Sequence, residues 1–403
     1  MAMGDAACDK TGSTAGSREA ALLLACLRAR AVDTGELMPS GIPADVDWNI
    51  FLRLAIRHRM VPAVRHVLEP VADSIPRPAW ENIRDAALGI AAANERWMAE
   101  LKYLLKELGQ NNIPCMVLRG LPLSQQLYGN IHSRQISDLD ILVHREDAVR
   151  AMTVLSGAGY EPMFRLNETQ ARAYVRFRIE RTYLRTAKHM AVDLHWRAMP
   201  RVFELTADEH LWSGAQPRDV EGVRMLAPDK EGSLLLVFAH GTKHGWDRFA
   251  QVLDLAMSLR DASAEEIRQA VDHAGRQGYR RACLLGLGLC RELAGLGEPA
   301  DLLKEAAETP MIRETTERTR EWLLSSDEVW GRGGQERKLL GCVLERASSK
   351  ARYYVDEVLK PTGIEVEKIS LPRPLWFLYY VIRAARLAGK AVWRPLIRRR
   401  RAL

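Results

Sequence analysis

Along the chain the spacing of apolar residues changes twice, from one in three or four to alternation and back, which predicts helical, mixed and helical stretches in turn. Ala20 to Arg30 is an apolar run of good helix formers, and Trp48 to His58 repeats its apolar residues at helical spacing. Pro78 suits a first helical turn, and the apolar positions from Ala86 to Leu108 predict a long helix that Gly109, Asn111 and Asn112 end. The period then shortens. Cys115 to Leu118 reads as a short strand, Arg119-Gly120 as a turn, and Leu121 to Tyr128 as a helix entered from the glycine. Ser137 to Val143 begins in strict alternation and ends apolar, as a strand does. Arg145 to Ala158 reads as a helix, and Gly159 to Phe164, Phe177 to Arg185 and Met190 to Trp196 as β segments. Beyond Pro228 the helical period returns, at Lys230 to His240, Arg248 to Arg260, Ala264 to Gln277, Arg280 to Leu293, Met311 to Leu324 and Glu336 to Val358.

These elements predict an α+β protein. A flexible N-terminus covers residues 1–17, a helical region 18–110, a mixed α/β core 111–200, a second helical region 201–370, and a basic amphipathic helix and tail 371–403. Gly331 to Gly334 reads as a hinge. With 403 residues, 47% hydrophobic and 27% charged, the chain exceeds one ordinary core and is neither disordered nor fibrous. The six cysteines show no C-x-x-C spacing, which argues against a disulfide framework or a zinc ribbon and for a reducing, cytoplasmic setting. Met1 to Gly16 lacks the apolar stretch of a signal peptide, so export is not expected. The net charge of +7 suggests nucleic acid until it is located. Residues 371–403 hold nine Arg or Lys and no acid, which leaves about −2 on the rest, so the body carries no strong nucleic-acid signature.

The candidate chemistry begins with Asp138 and Asp140. Residues two apart on a strand point to one side, so these carboxylates project together while Leu139 and Ile141 face the core. Like charges so placed repel, and a cation with a preference for oxygen ligands, such as Mg²⁺, relieves them. Exposed strand ends carry such pairs too. Gly120, at the start of a helix, lets backbone N–H groups approach an anion with the helix N-terminus behind them. Asp193 offers another carboxylate on an alternating strand, and His195 shares its face. Read alone, Asp193 also fits an edge-strand residue and His195 a hydrogen-bonded surface or core histidine.

The run Leu118-Arg119-Gly120, then Tyr128-Gly129, Arg134 with Ser137 to Val143, and finally Val192-Asp193-Leu194-His195-Trp196, resembles the bacterial uncharacterised nucleotidyltransferase family of the polymerase β-like superfamily. The resemblance is close from about Ile113 to Trp196 and looser to His240, His244, Trp246 and Asp254. It implies a small mixed-sheet nucleotidyltransferase core, flanked here by helical regions, which moves a nucleoside monophosphate from an NTP, with ATP as the expected donor, to an acceptor hydroxyl. By resemblance two Mg²⁺ ions are held by Asp138, Asp140 and Asp193. Arg119, Gly120, Arg134 and His195 are placed at the nucleotide, with Arg134 equally suited to pairing with a carboxylate. Leu121 and Pro122 follow Gly120 where the superfamily usually has Ser, and Arg119 stands where relatives often have Lys. These departures motivate an alternative, a non-catalytic nucleotide-sensing or partner-binding member of the same fold.

His240 and His244 are four apart on an expected helix, but Gly241 stands where the glutamate of a zinc-protease motif would be, so no catalytic role follows. Cys115 reads as inert core. In the C-terminal segment Arg383, Arg386, Lys390 and Arg394 share one helical face, with Leu378, Val381, Ala385, Val392 and Leu396 roughly opposite. That pattern fits a helix lying on an anionic membrane surface, at the inner face of the membrane, or docked on an acidic partner, and so a peripheral membrane or assembly protein. The acceptor, whether small molecule, sugar or peptide, leaves no signature in the sequence.

Overall fold

The computed structural model describes residues 15–32, 42–200, 207–325 and 339–400. They form two compact units, one of Met1–Arg96, Leu123–Ile136 and Lys230–Leu344, the other of Trp97–Pro122, Ser137–Asp229 and Glu345–Leu403. Gly331 to Gly334 and the first fourteen residues lie outside the described residues, as do the side chains of Lys390, Val392, Arg394 and Leu396.

In the first unit, helices α1 (Ala15–Val32), α2 (Trp48–Arg57) and α3 (Val61–Leu68) pack with a later series that includes α9 (Lys230–Lys243), α10 (Phe249–Arg260), α11 (Ala264–Gln277), α12 (Arg280–Leu289), α13 (Ala300–Glu308) and α14 (Pro310–Leu324). The starts and stops have local causes. Asp47 caps α2 by accepting from the amides of Asn49 and Ile50 at 2.9 and 3.0 Å, and Ser263 caps α11, which ends at Gly278 in the left-handed region. Leu22, Leu23, Phe51, Phe238 and Phe249 fill the core. Gly241 has a packing reason. A Cβ there would come within 2.5 Å of the fully buried Trp246 ring, so the glycine that interrupts the His240/His244 pattern seats an indole.

The second unit is built on a seven-stranded mixed sheet in the order β3-β4-β5-β2-β1-β7-β6. Its strands are β1 (Cys115–Val117), β2 (Leu139–Val143), β3 (Glu161–Pro162), β4 (Glu180–Arg185), β5 (Met190–His195), β6 (Gln216–Val220) and β7 (Val223–Ala227). Burial and alternation agree on β5, where Val192 and Leu194 are fully buried while Ala191 and Asp193 turn to the other, half-buried face. β1 runs antiparallel to β2, and β2 runs parallel to β5 with Asp140 opposite Asp193. β4 returns antiparallel on β5 with Thr182 opposite Asp193 and Glu180 opposite His195. The fold is α+β, a mixed seven-stranded sheet with helices flanking it.

Three segments differ from the sequence reading. Residues 168–177 form helix α7 (Glu168–Phe177), opened by a capping box from Asn167 and Gln170, and the strand that was expected from Phe177 starts at Glu180. The helix α6 is Ala148–Gly157. The β6–β7 hairpin lies in the stretch 201–370 that was read as helical, and it extends the sheet beyond residue 200. Its turn rests on Glu221 and Gly222, both with positive φ.

The C-terminal helices of this unit are α15 (Ala347–Leu359), α16 (Gly363–Lys368) and α17 (Leu378–Arg400). Gln170 of α7 donates to the carbonyls of Val366 and Glu367 at 2.9 Å, and Phe177 meets Tyr379 and Tyr380 edge to face at 5.8 and 5.6 Å. The expected open cationic face is partly committed inward. Arg386 and Arg383 pair with the carboxylate of Glu365, which is fully buried and also accepts from the Thr362 amide and hydroxyl. Among the described residues no helix is long and apolar enough to cross a membrane. Among the described residues Cys26, Cys115, Cys283, Cys290 and Cys342 form no disulfide, and burial pushes the Cys115 thiol up to about 12.

Burial alone would raise the Glu365 carboxyl, but the Thr362 donors and Arg386 hold it down at about 2. Its stabilisation is therefore present above the ordinary carboxyl range and lost as pH falls toward 2. Glu365→Gln should cost about 3 kcal/mol in urea unfolding at pH 7, with the difference from the parent shrinking below pH 4. An unchanged midpoint at pH 7 would refute this role.

Candidate active site

β2, β5 and β4 converge on one face of the sheet. Parallel register brings Asp140 beside Asp193, and His195, two residues further along β5, turns the same way. One ligand atom each from Asp140, Asp193 and His195 lies within 4.8 Å of the other two. Asp140 is engaged on both oxygens, with Arg119 Nη2 donating to Oδ2 at 2.8 Å and His195 Nε2 lying 3.0 Å from Oδ1. The far nitrogen of that ring, Nδ1, lies 3.3 Å from the Glu180 carboxylate, so the imidazole sits between two acids. Such a position suits an imidazolium as well as a metal-bound neutral ring.

Asp193 is the uncompensated member. Its Oδ1 is buried with no hydrogen-bond partner among the described residues. Burial pushes its carboxyl above the ordinary range, the Thr182 hydroxyl and His195 oppose this, and Asp140 and Glu180 add to it. Two adjacent carboxylates, one of them orphaned, beside an imidazole form an oxygen-rich donor set suited to a divalent cation. The residues present fit the metal.

Arg119 and Gly120 follow β1 after Leu118. Gly120 takes a φ of +71°, where a side chain would be strained, and this turns the chain from the strand into α5 (Leu121–Tyr128). Arg119 is 13% exposed at its side chain and keeps one buried terminal nitrogen, Nη1, without a hydrogen-bond partner among the described residues. It thus has a donor to spare beyond Asp140.

Not every expected residue joins this group. Asp138 precedes the first paired residue of β2 and accepts from the Ser137 hydroxyl at 3.1 Å; it is not one of the three clustered ligands. Arg134 belongs to the first unit, where its Nε donates to Asp254 at 2.8 Å, so the carboxylate pairing applies. Tyr128 donates to the same Asp254 at 2.9 Å. The loop between them hangs on buried Asn94, which donates to the carbonyls of Ile131 and Arg134 at 2.6 and 2.7 Å. His240 and His244 lie in the first unit with ring centroids 4.4 Å apart.

Sequence reasoning missed Glu180, Thr182 and Asp208. Glu180 and Thr182 reach the site by facing His195 and Asp193 across the β4–β5 pairing, which only the register reveals. Asp208 accepts from the Ala198 amide at 2.9 Å; burial raises its carboxyl and His195 is one of the charges that oppose this.

A protein-family comparison agrees with the fold. The chain belongs to the family described as uncharacterised nucleotidyltransferase, whose model matches residues 44–295. That span includes Arg119, Asp140, Asp193 and His195. Among curated proteins no match is found.

Ionised Asp193 is disfavoured in the fold, so its contribution falls as pH rises above the ordinary carboxyl range. Asp193→Asn should therefore melt higher than the parent at pH 7 without divalent cations, and the gap should close toward pH 4. A variant that melts lower at pH 7 would contradict the frustrated pair.

Proposed function

We propose that the protein transfers a nucleoside monophosphate from an NTP to an acceptor hydroxyl, with Asp140 and Asp193 as the central metal-holding residues. The carrying observation is the clustering of Asp140, Asp193 and His195 in a chain of a nucleotidyltransferase family. Asp140 and Asp193 would hold a divalent cation, Mg²⁺ by preference for their oxygens, and Asp138 would help hold a second. When bound, such ions lower the pKa of an acceptor hydroxyl and neutralise the charge on the leaving pyrophosphate.

The chain's own groups do the rest. Asp193 would take the acceptor proton, a role supported by its unpaired Oδ1 and its raised carboxyl. Arg119 would offer its spare Nη1 to a phosphate oxygen, and the backbone at Gly120 would open the start of α5 to the same anion. His195, held between Asp140 and Glu180, orients the first carboxylate. The acceptor oxygen then bonds to the α-phosphorus as the bond to pyrophosphate breaks.

A second reading has one observation in its favour. Arg119 already neutralises Asp140, as a built-in cation would in a non-catalytic nucleotide sensor. The two separate in an assay of α-labelled NTPs with Mg²⁺ and a cell extract. Enzyme predicts label on an acceptor, reduced about a hundredfold or more by Asp140→Asn and by Asp193→Asn with the fold retained. Nucleotide binding without any label transfer would favour the sensor, and equal transfer by the variants would remove these carboxylates from the mechanism.

A further inference from the structure

The second unit contains a groove of about 2280 Å³ that the nucleotidyl-transfer reading does not use. Ten arginines and one lysine line it against three carboxylates. The lining comes from two stretches of chain, residues 145–197 and 352–380. Arg181 reaches it from β4 on the sheet face opposite to the one that carries Thr182, Asp193 and His195, so the groove and the carboxylate cluster lie on different faces. Nothing in the proposed transfer step explains why so many guanidinium groups converge there.

We propose that this groove binds single-stranded nucleic acid. Its phosphates would sit on the arginines and its bases on the exposed rings at the groove's edge. Arg165 and Arg176 from the first stretch, and Arg352 and Arg373 from the second, are exposed and form no ion pair with a described residue. Four exposed guanidinium groups line one groove without an ion pair of their own among the described residues, and the phosphates of an anionic chain would supply the missing counter-charge. Arginine outnumbers lysine ten to one, which favours the planar fork that matches phosphate. Phe377 is 61% and Tyr380 41% exposed, unusual for large rings, and both line the same groove. Rings beside arginines are the recurring platform for unpaired bases.

A lipid surface fits less well. The cations line a hollow rather than one outer helix face, and Arg383 and Arg386, on the face of α17 that lipid would attract, are spent on Glu365. The near-neutral charge of the body is no objection, because the fold gathers arginines that are scattered along the sequence.

The test is fluorescence anisotropy of the full chain with labelled 12-mers of oligo-U and oligo-dT. Inorganic polyphosphate and poly-glutamate serve as competitors, and phosphatidylserine vesicles as a separate arm. Four phosphate contacts predict a loss of affinity of about 50-fold between about 50 and 200 mM salt. Arg165→Ala with Arg176→Ala, and separately Arg352→Ala with Arg373→Ala, should each weaken binding about tenfold or more while leaving the melting curve in place. Phe377→Ala should weaken it about fivefold or more with little change in the salt slope. The proposal is overturned if neither oligonucleotide binds, or if both arginine pairs can be removed without effect. It is also overturned if polyphosphate or poly-glutamate competes as well as unlabelled oligo-U, or if vesicles bind and oligonucleotides do not. The two pairs lie on separate stretches of chain, so misfolding of one leaves the other as the test. Binding is read without turnover, so its outcome is independent of nucleotidyl transfer.

Discussion

The parallel pairing of β2 with β5 sets Asp140 and Asp193 side by side, and the rest of the site depends on how that repulsion is met. Two half-buried carboxylates at adjacent strand positions would be costly if both stayed charged and unpaired. Asp140 is relieved by Arg119 from the turn after β1 and by His195 from β5 itself. Asp193 receives only the Thr182 hydroxyl from the next strand, which leaves one oxygen bare. The imbalance sits in a closely packed sheet. Strand positions above and below, such as Ile141, Val192 and Leu194, are fully buried.

A site that stores such repulsion is stable only because the surrounding sheet over-determines it. Glu100 illustrates the support. Buried in the same unit, it accepts from Tyr160, Arg185 and Lys188, and those donors hold its carboxyl low despite burial. Here a buried acid is matched by partners from the end of β4 and the turn after it. At Asp193 the match is withheld, which is the pattern expected where a ligand completes the set.

Much of this was legible from period alone. Alternation over Ser137 to Val143 and Val192 to Trp196 told which side chains share a face, and the glycine after β1 marked a turn that needs positive φ. Period does not name the neighbour. That Asp193 meets Asp140 and Thr182, that Glu180 meets His195, and that Arg119 pairs with Asp140 are matters of register and strand order, which a single sequence leaves open. The helix at 168–177 was hidden because its buried positions, from Ala171 to Phe177, crowd together and blur into the following strand. The arginine groove was invisible for the opposite reason. Its cations are spread over more than two hundred positions, and only folding concentrates them.

The most direct measurement of the central claim is Mn²⁺ binding followed by electron paramagnetic resonance, with and without a non-hydrolysable NTP. The paired carboxylates predict Mn²⁺ uptake that the nucleotide strengthens and that is lost when Asp193 or Asp140 is replaced by Asn. Uptake that is absent in the parent, or that persists unchanged in both variants, would contradict the account.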